Sequence, residues 1–313
     1  MKVTVAICTW NRAKLLDQTL AQMRNLRIPD GVSWELLVVN NNCTDDTDAV
    51  IARHADALPV RRLLETKQGH SNARNCAIEH AAGDILIWTD DDVLVDPDWL
   101  VEYVRASAAF PEAGFFGGTV DPWFEIPPPG WVLRHLERLE PAFALRRLGP
   151  EVRWLEEKEQ VFGANMAFRT ELLRITPFNP ALGRIGRGMV GADETNVISR
   201  LREEGWRGVW IGSARVKHYI PASRLTRGYV WKYYTGLGQT AVRTSACPSG
   251  GPTLWGAPRW LVRLTWSQRF RAFARRLTGR DWVEVYIAAA MRTGMIREVR
   301  AQTAFGDAKT QSN

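Results

Sequence analysis

Three adjacent aspartates, Asp90-Asp91-Asp92, follow a largely apolar run, Asp84–Thr89 (DILIWT). Neighbouring carboxylates repel one another, and a stable fold rarely gathers three without a cation. Hard oxygen ligands suit Mg2+ or Mn2+, which usually bridge protein carboxylates to substrate phosphates. A solvated acidic turn would use the same residues. A second acidic spot, Gly191-Ala192-Asp193-Glu194-Thr195, opens a helical pattern. A carboxylate there suits a general base acting on a hydroxyl, and Asp193 equally suits a helix cap. Lys67-Gln68-Gly69-His70-Ser71, running on to Arg74-Asn75, is a glycine-containing loop that enters a helix. Its backbone N–H groups and Arg74 fit a phosphate, or the loop is a plain cap. His218 follows Arg215-Val216-Lys217. A lone histidine there is structural, or it offers a neutral imidazole to a divalent metal.

These residues need elements to hold them. Val3–Cys8, Trp34–Val39, Val60–Leu64 and Asp84–Thr89 read as strands. Arg12–Arg24, Asp45–His54, Ser71–Ala81 and Asp98–Phe110 read as helices, the last with Pro97 at its entry. Such alternation predicts an α/β fold, a mostly parallel sheet with helices on both faces. Ligands of such sheets bind at the carboxyl ends of the strands. Thr9 to Arg12, Asn40 to Thr44 and Asp90 to Asp92 stand at those ends. Beyond residue 120 the pattern breaks. Pro127-Pro128-Pro129-Gly130 is a stiff connector, Gln160–Arg169 a strand with a glycine turn, Thr195–Glu204 a helix and Val209–Ile211 a short strand. From Tyr229 the chain is helical and basic, with Gly250-Gly251-Pro252 as an internal hinge.

The 313 residues suit one large α/β domain, or a domain of roughly 200–230 residues plus an appendage. No apolar run approaches the roughly 18–20 residues of a membrane-spanning helix. The opening MKVTVAICTWNR reads as a strand rather than a secretory signal. Cys8, Cys43, Cys76 and Cys247 show no CxxC pairing, so a reducing cytoplasm is the expected compartment. Charge is uneven. Residues 1–214 hold 24 Lys and Arg against 30 Asp and Glu, whereas residues 215–313 hold 17 against 4. The basic part also carries Trp231, Trp255, Trp260, Trp266 and Trp282. Arginine with tryptophan suits an anionic membrane surface. A solvated basic face over a tryptophan core is the second reading, and nucleic acid the third.

The order of these pieces resembles glycosyltransferase family 2, the GT-A-fold sugar-nucleotide enzymes. Five segments carry the likeness over roughly residues 2–220. They are VTVAICTWNRAKLL, LLVVNNNCTDDT, GHSNARNCAIEHAAGDILIWTDDDVLVDPDWL, FGANMAFRTELL and GADETNVISRLREEGW. The resemblance implies a GT-A catalytic domain over 1–228, split into a nucleotide-binding half (1–120) and an acceptor half (121–228). Residues 229–313 then form a basic helical extension. It implies a nucleotide-sugar site built from Thr9, Asn11, Arg12, Asn40, Asn42, Gly69, Arg74, Asp90, Asp91, Gly163 and Asn165. Asp90 and Asp92 match the outer positions of the Asp-x-Asp motif, and His218 sits where some members place a third metal ligand. Asp193 matches the catalytic base, with Glu194 its rival. Two departures stand out. Asn40 replaces the usual aspartate after the second strand, which leaves UDP the first choice of donor without a charge to enforce it. Ala192-Asp193-Glu194 replaces the usual Glu-Asp.

The expected activity is inverting, Mg2+- or Mn2+-dependent transfer from a nucleotide sugar to a hydroxyl of a saccharide or lipid-linked acceptor. That fits the making of a cell-surface polysaccharide or glycolipid. The basic tail would hold the enzyme on the inner membrane surface. The rivals are a nucleotidyltransferase and a non-catalytic membrane-surface protein that binds sugar nucleotides.

Overall fold

The computed structural model describes residues 1–182, 193–244 and 252–310. In chain order the elements begin with β1 (Lys2–Thr9), α1 (Ala13–Met23), β2 (Ser33–Asn40), α2 (Thr47–His54), β3 (Val60–Leu64) and α3 (His70–His80). Then come β4 (Ile85–Asp90), β5 (Val93–Val95), α4 (Trp99–Ala109), β6 (Ala113–Phe124), α5 (Gly130–Arg134), α6 (Leu136–Phe143) and β7 (Val152–Trp154). They end with β8 (Met166–Arg169), α7 (Thr170–Ile175), α8 (Asp193–Glu203), β9 (Arg207–Ile220), α9 (Arg227–Thr244), β10 (Thr253–Leu254), β11 (Ala257–Pro258), α10 (Arg259–Leu277) and α11 (Val283–Thr310). They form two compact units. One is Met1–Trp123 with Ala144–Tyr219, the other Phe124–Phe143 with Ile220–Asn313. Residues 124–143, expected in the acceptor half, therefore cluster with the basic C-terminal region.

The first unit is the expected α/β architecture. Its nine-stranded sheet runs β3-β2-β1-β4-β8-β6-β9-β5, with β7 beside β9. The strands β3, β2, β1 and β4 are parallel. Strand order reverses at β1, because the chain first builds outward through β2 and β3, then returns through α3 to set β4 on the other side. Right-handed crossovers place helices on both faces, and the crevice opens beyond the carboxyl ends of β1 and β4. Cys8 is the register partner of Asp90 there.

The rest of the sheet is not parallel. The pairs β4–β8, β8–β6, β9–β5 and β7–β9 are all antiparallel. Two strands escape the sequence pattern. In β6, Gly117-Gly118 lies inside the strand. A Cβ on Gly118 would collide with the Ala214 carbonyl, so the glycine marks close backbone approach. Strand β9 is 14 residues long rather than three. Arg215 and Lys217 hide its period of two, in which Ala214, Val216, His218 and Ile220 point inward. That alternation buries His218. Helix α8 begins at Asp193, two residues before the expected Thr195, so Asp193 is inside the helix rather than its cap. Gly191, Ala192, Cys247, Gly250 and Gly251 lie outside the described residues.

The second unit is helical. Helices α9 and α11 pack at the distance of bare backbone. A Cβ on Gly238 would strike the Met291 carbonyl, and one on Gly294 the Thr235 carbonyl. A small apolar core of Val242, Ala257, Leu261, Val262, Ile296 and Val299 joins α9, α10, α11 and the β11 strand. Among the described residues no helix is long and apolar enough to cross a membrane.

Candidate active site

The aspartate turn is pinned by its middle member. Asp91 is buried, and its carboxylate accepts hydrogen bonds from Thr9 Oγ1 at 2.8 Å and Arg12 Nη1 at 3.0 Å. Thr19 Oγ1 donates to its carbonyl at 3.0 Å. Burial, opposed by Arg12 and helped by the charge on Asp92, pushes the Asp91 carboxyl up to about 7. Arg12 also holds Asp92 Oδ2 at 2.8 Å. The Asp91 carboxylate thus ties the turn to β1, and Arg12 links it to Asp92.

Asp90, Asp92 and His218 each bring a ligand atom within 4.8 Å of the others. Three strands do this. Asp90 ends β4, Asp92 precedes β5, and β9 sets His218 opposite Val93. Asp92 Oδ1 is buried without a hydrogen bond, 3.5 Å from His218 Nε2, and His218 Nδ1 is also buried and unpartnered. Buried polar atoms rarely go unsatisfied. Two carboxylates and an imidazole with orphaned ligand atoms fit a divalent cation such as Mg2+ or Mn2+.

A second charged cluster joins α3 to α8. Arg74 on α3 is buried, with Nη1 3.0 Å from Asp193 Oδ2 and Nη2 3.1 Å from Glu194 Oε1. Its guanidinium also packs over the rings of Phe178 at 4.9 Å and Trp88 at 5.7 Å. Ser71 Oγ donates to Asp193 Oδ2 at 3.4 Å, and His70 Nδ1 stands 3.6 Å from the same oxygen. Burial opposes the charge on Asp193, but the Arg74 cation and the His70 bond hold its carboxyl well below the usual range. The Glu194 side chain is 22% exposed against 1% for Asp193. Gly163 makes room for the cluster. A Cβ there would collide with Arg74 Nη2 and Glu194 Oε1. Gly163→Ala is expected to destabilise the fold by about 1–3 kcal/mol, the usual cost of overpacking, read from urea denaturation.

The polar turns after β1 and β2 interlock. Asn11 Oδ1 accepts from Thr44 N at 2.7 Å, with Asn11 itself at a positive φ of 52°. Asn40 gives its amide to Asp48 at 2.7 Å and accepts from Cys43 N at 2.7 Å. Asn42 donates to the Thr66 carbonyl. Gly69, at φ 139°, gives its N–H to Asn41 Oδ1 at 2.9 Å.

A cleft lies over these turns, lined by Thr9, Trp10, Arg12, Gln68, Asp90 and Asp91 among others. Asn41 and His70 line it as well. Trp10 and Asn41 belong to the polar strand ends, and Gln68 and His70 to the glycine loop, but none of the four takes a role of its own from the sequence. Position beside Thr9, Asn40 and Gly69 was the signal available for them. Of the expected donor-site residues, Thr9, Arg12, Asp90 and Asp91 meet in the cleft. Asn165 does not offer itself to a ligand. It is fully buried, accepts from Trp99 Nε1 and Tyr103 Oη, and donates to the Thr119 and Ala214 carbonyls. All four of its hydrogen bonds are made inside the protein. The resemblance sets Arg74 at the base or diphosphate of the donor; its partners in the structure are Asp193 and Glu194.

The family model for glycosyl transferase family 2 matches residues 4–173. The succinoglycan biosynthesis protein ExoM of Rhizobium meliloti is 27% identical over 133 residues, 39% of this chain and 42% of that protein. Among solved structures, the mannosyltransferase PcManGT from Pyrobaculum calidifontis, in complex with GDP-Man and Mn2+, superposes with a TM-score of 0.61. It does so at 21% identity, over 97% of this chain and 87% of its own. TarS 1–349 of S. aureus, in complex with UDP-GlcNAc, gives 0.52 at 14% identity, over 80% of this chain and 68% of its own. At these identities the two structures share the fold.

Proposed function

Since the chain belongs to glycosyl transferase family 2, we propose that it is an inverting enzyme that uses Mg2+ or Mn2+. In this reading it moves a sugar from a nucleotide sugar to a hydroxyl of a saccharide or lipid-linked acceptor, in the making of a polysaccharide or glycolipid. One observation carries the reading. The buried, unpartnered Asp92 Oδ1 converges with Asp90 and the buried His218 imidazole at the strand ends where a fold of this topology binds its ligand. A cation held by these three residues would neutralise charge on the departing diphosphate.

The remaining roles belong to the protein. Thr9, Arg12, Asp91 and the asparagine turns shape the donor cleft, and Trp10 offers an aromatic face beside it. Asp193 accepts the proton of the attacking hydroxyl. Arg74 keeps it ionised and, by the same attraction, makes it a weak base. Glu194 is the second reading for the base, favoured by its greater exposure. UDP remains the first choice of donor nucleotide. Asn40 has one carbonyl lone pair left for a base after its bond to Cys43 N.

Purified protein incubated with Mn2+, an acceptor extract and a panel of UDP- and GDP-sugars is expected to release nucleoside diphosphate. Release of pyrophosphate instead would mark a nucleotidyltransferase. No turnover over the whole panel would favour the non-catalytic rival. Attachment of the basic region to the inner face of an anionic membrane belongs to the same proposal.

A further inference from the structure

The second unit holds a cavity of about 710 Å³, larger than the cleft beside the aspartates and lined by different residues. Its wall is aromatic. Trp131 contacts Trp282 at 5.6 Å between ring centroids, Trp282 contacts Tyr286 at 5.3 Å, and Tyr286 contacts Trp231 at 5.0 Å. Tyr286 Oη donates to the Arg227 carbonyl at 3.0 Å, which fixes that ring against the start of α9. The rim is cationic. Arg227, Arg269 and Arg276 all line the cavity. No carboxylate pairs with any of them among the described residues. The nearby acids Asp281 and Glu284 are taken by Arg138, at 2.7 and 3.5 Å. Arg269 lies over Trp231 and Trp266, 5.3 Å from each ring.

The cavity adjoins an exposed apolar stripe. Helix α10 buries Leu261, Val262, Thr265 and Ala272. On another face it leaves Trp266 60%, Phe270 72%, Phe273 60% and Leu277 73% exposed. Their spacing of four, three and four residues puts them in one line, at 100° per residue. Phe273 belongs to both the stripe and the cavity wall. Arginines flank the line, and no acid occurs between Trp255 and Arg280.

We propose that the cavity binds the phosphate headgroup of an anionic membrane lipid, with the α10 stripe lying among the acyl chains. Guanidinium groups bond phosphate through paired N–H donors. Aromatic walls suit the glycerol and carbonyl level of a bilayer, where Trp and Tyr concentrate. A soluble phosphate would account for the arginines and leave the stripe exposed to water. A membrane lipid accounts for both, its phosphate at the arginines and its acyl chains along the stripe. This inference deepens the proposed membrane attachment, rests on the second unit alone and holds whether or not the transferase reading does.

The test is co-sedimentation with phosphatidylcholine vesicles, with and without phosphatidylglycerol. Wild-type protein should bind only the anionic vesicles. Arg271→Gln, outside the cavity, should weaken binding about fivefold, the share of one surface cation. Arg276→Gln and Arg269→Gln remove the same charge and should cost about 10–100-fold, as lost hydrogen bonds to a charged group do. Each variant's melting curve checks its fold. For wild-type protein, tryptophan emission should be quenched by doxyl-labelled lipid in anionic vesicles. Equal losses for Arg271→Gln and Arg276→Gln would overturn the pocket, as would absence of vesicle binding or of quenching. Calorimetric binding of glycerol phosphate as tight as that of the vesicles would overturn the lipid assignment in favour of a soluble phosphate.

Discussion

Asp92→Asn is expected to lower sugar transfer by about 10²–10³-fold, the kinetic equivalent of losing one partner of a buried charge cluster. The wild-type Oδ1 is buried beside His218 without a hydrogen bond, while Oδ2 is held by Arg12 at 2.8 Å. The amide can still accept from Arg12 and so keep the turn in place. With its single oxygen on Arg12, it turns an NH2 group toward the cation where a carboxylate oxygen stood. Initial rates with saturating donor and Mn2+, and the same assay in EDTA, read the effect. Full activity in EDTA, or a normal rate for Asp92→Asn, would remove the metal role.

Asp193→Asn is expected to keep donor affinity and lose at least about 10²-fold in turnover, the usual contribution of a general base. Glu194→Gln should lose less. The reverse order would move the base to Glu194, whose side chain is the more accessible of the two. NMR of the anomeric product checks the mechanism separately, since retention would contradict a single displacement. The same carboxylate bears on stability. Its folded-state value lies below the ordinary aspartate value of 3.8. Its contribution is therefore complete above that value and is lost as pH falls through the folded one. Acid unfolding of the wild type should steepen below about pH 4, and Asp193→Asn should lack that share of the slope.

The first half of the fold was legible because β1 and β4 at its centre are buried on both faces and read as unbroken apolar runs. Val3–Cys8 and Ile85–Thr89 are of this kind. The antiparallel half was not. Glycines interrupt β6, and Arg215 and Lys217 point outward from β9, so neither strand shows a continuous run. The site followed the same division. Asp90 and Asp92 stood out because three acids end an apolar strand, but only the β5–β9 register explains why His218, 126 positions later, meets them. The family resemblance placed Asn165 in the donor site. Burial under Trp99 and Tyr103 turned it inward. Arg74 looked like a phosphate ligand because it follows a glycine loop. Its carboxylate partners come from α8, which no local pattern connects to α3.

Calorimetric titration of UDP and GDP into wild-type protein, in Mn2+ and then in EDTA, tests the central claim most directly. The account predicts that at least one nucleotide binds in Mn2+, that EDTA abolishes the binding, and that Asp92→Asn behaves in Mn2+ as the wild type does in EDTA. Equal nucleotide affinity with and without the metal would contradict it.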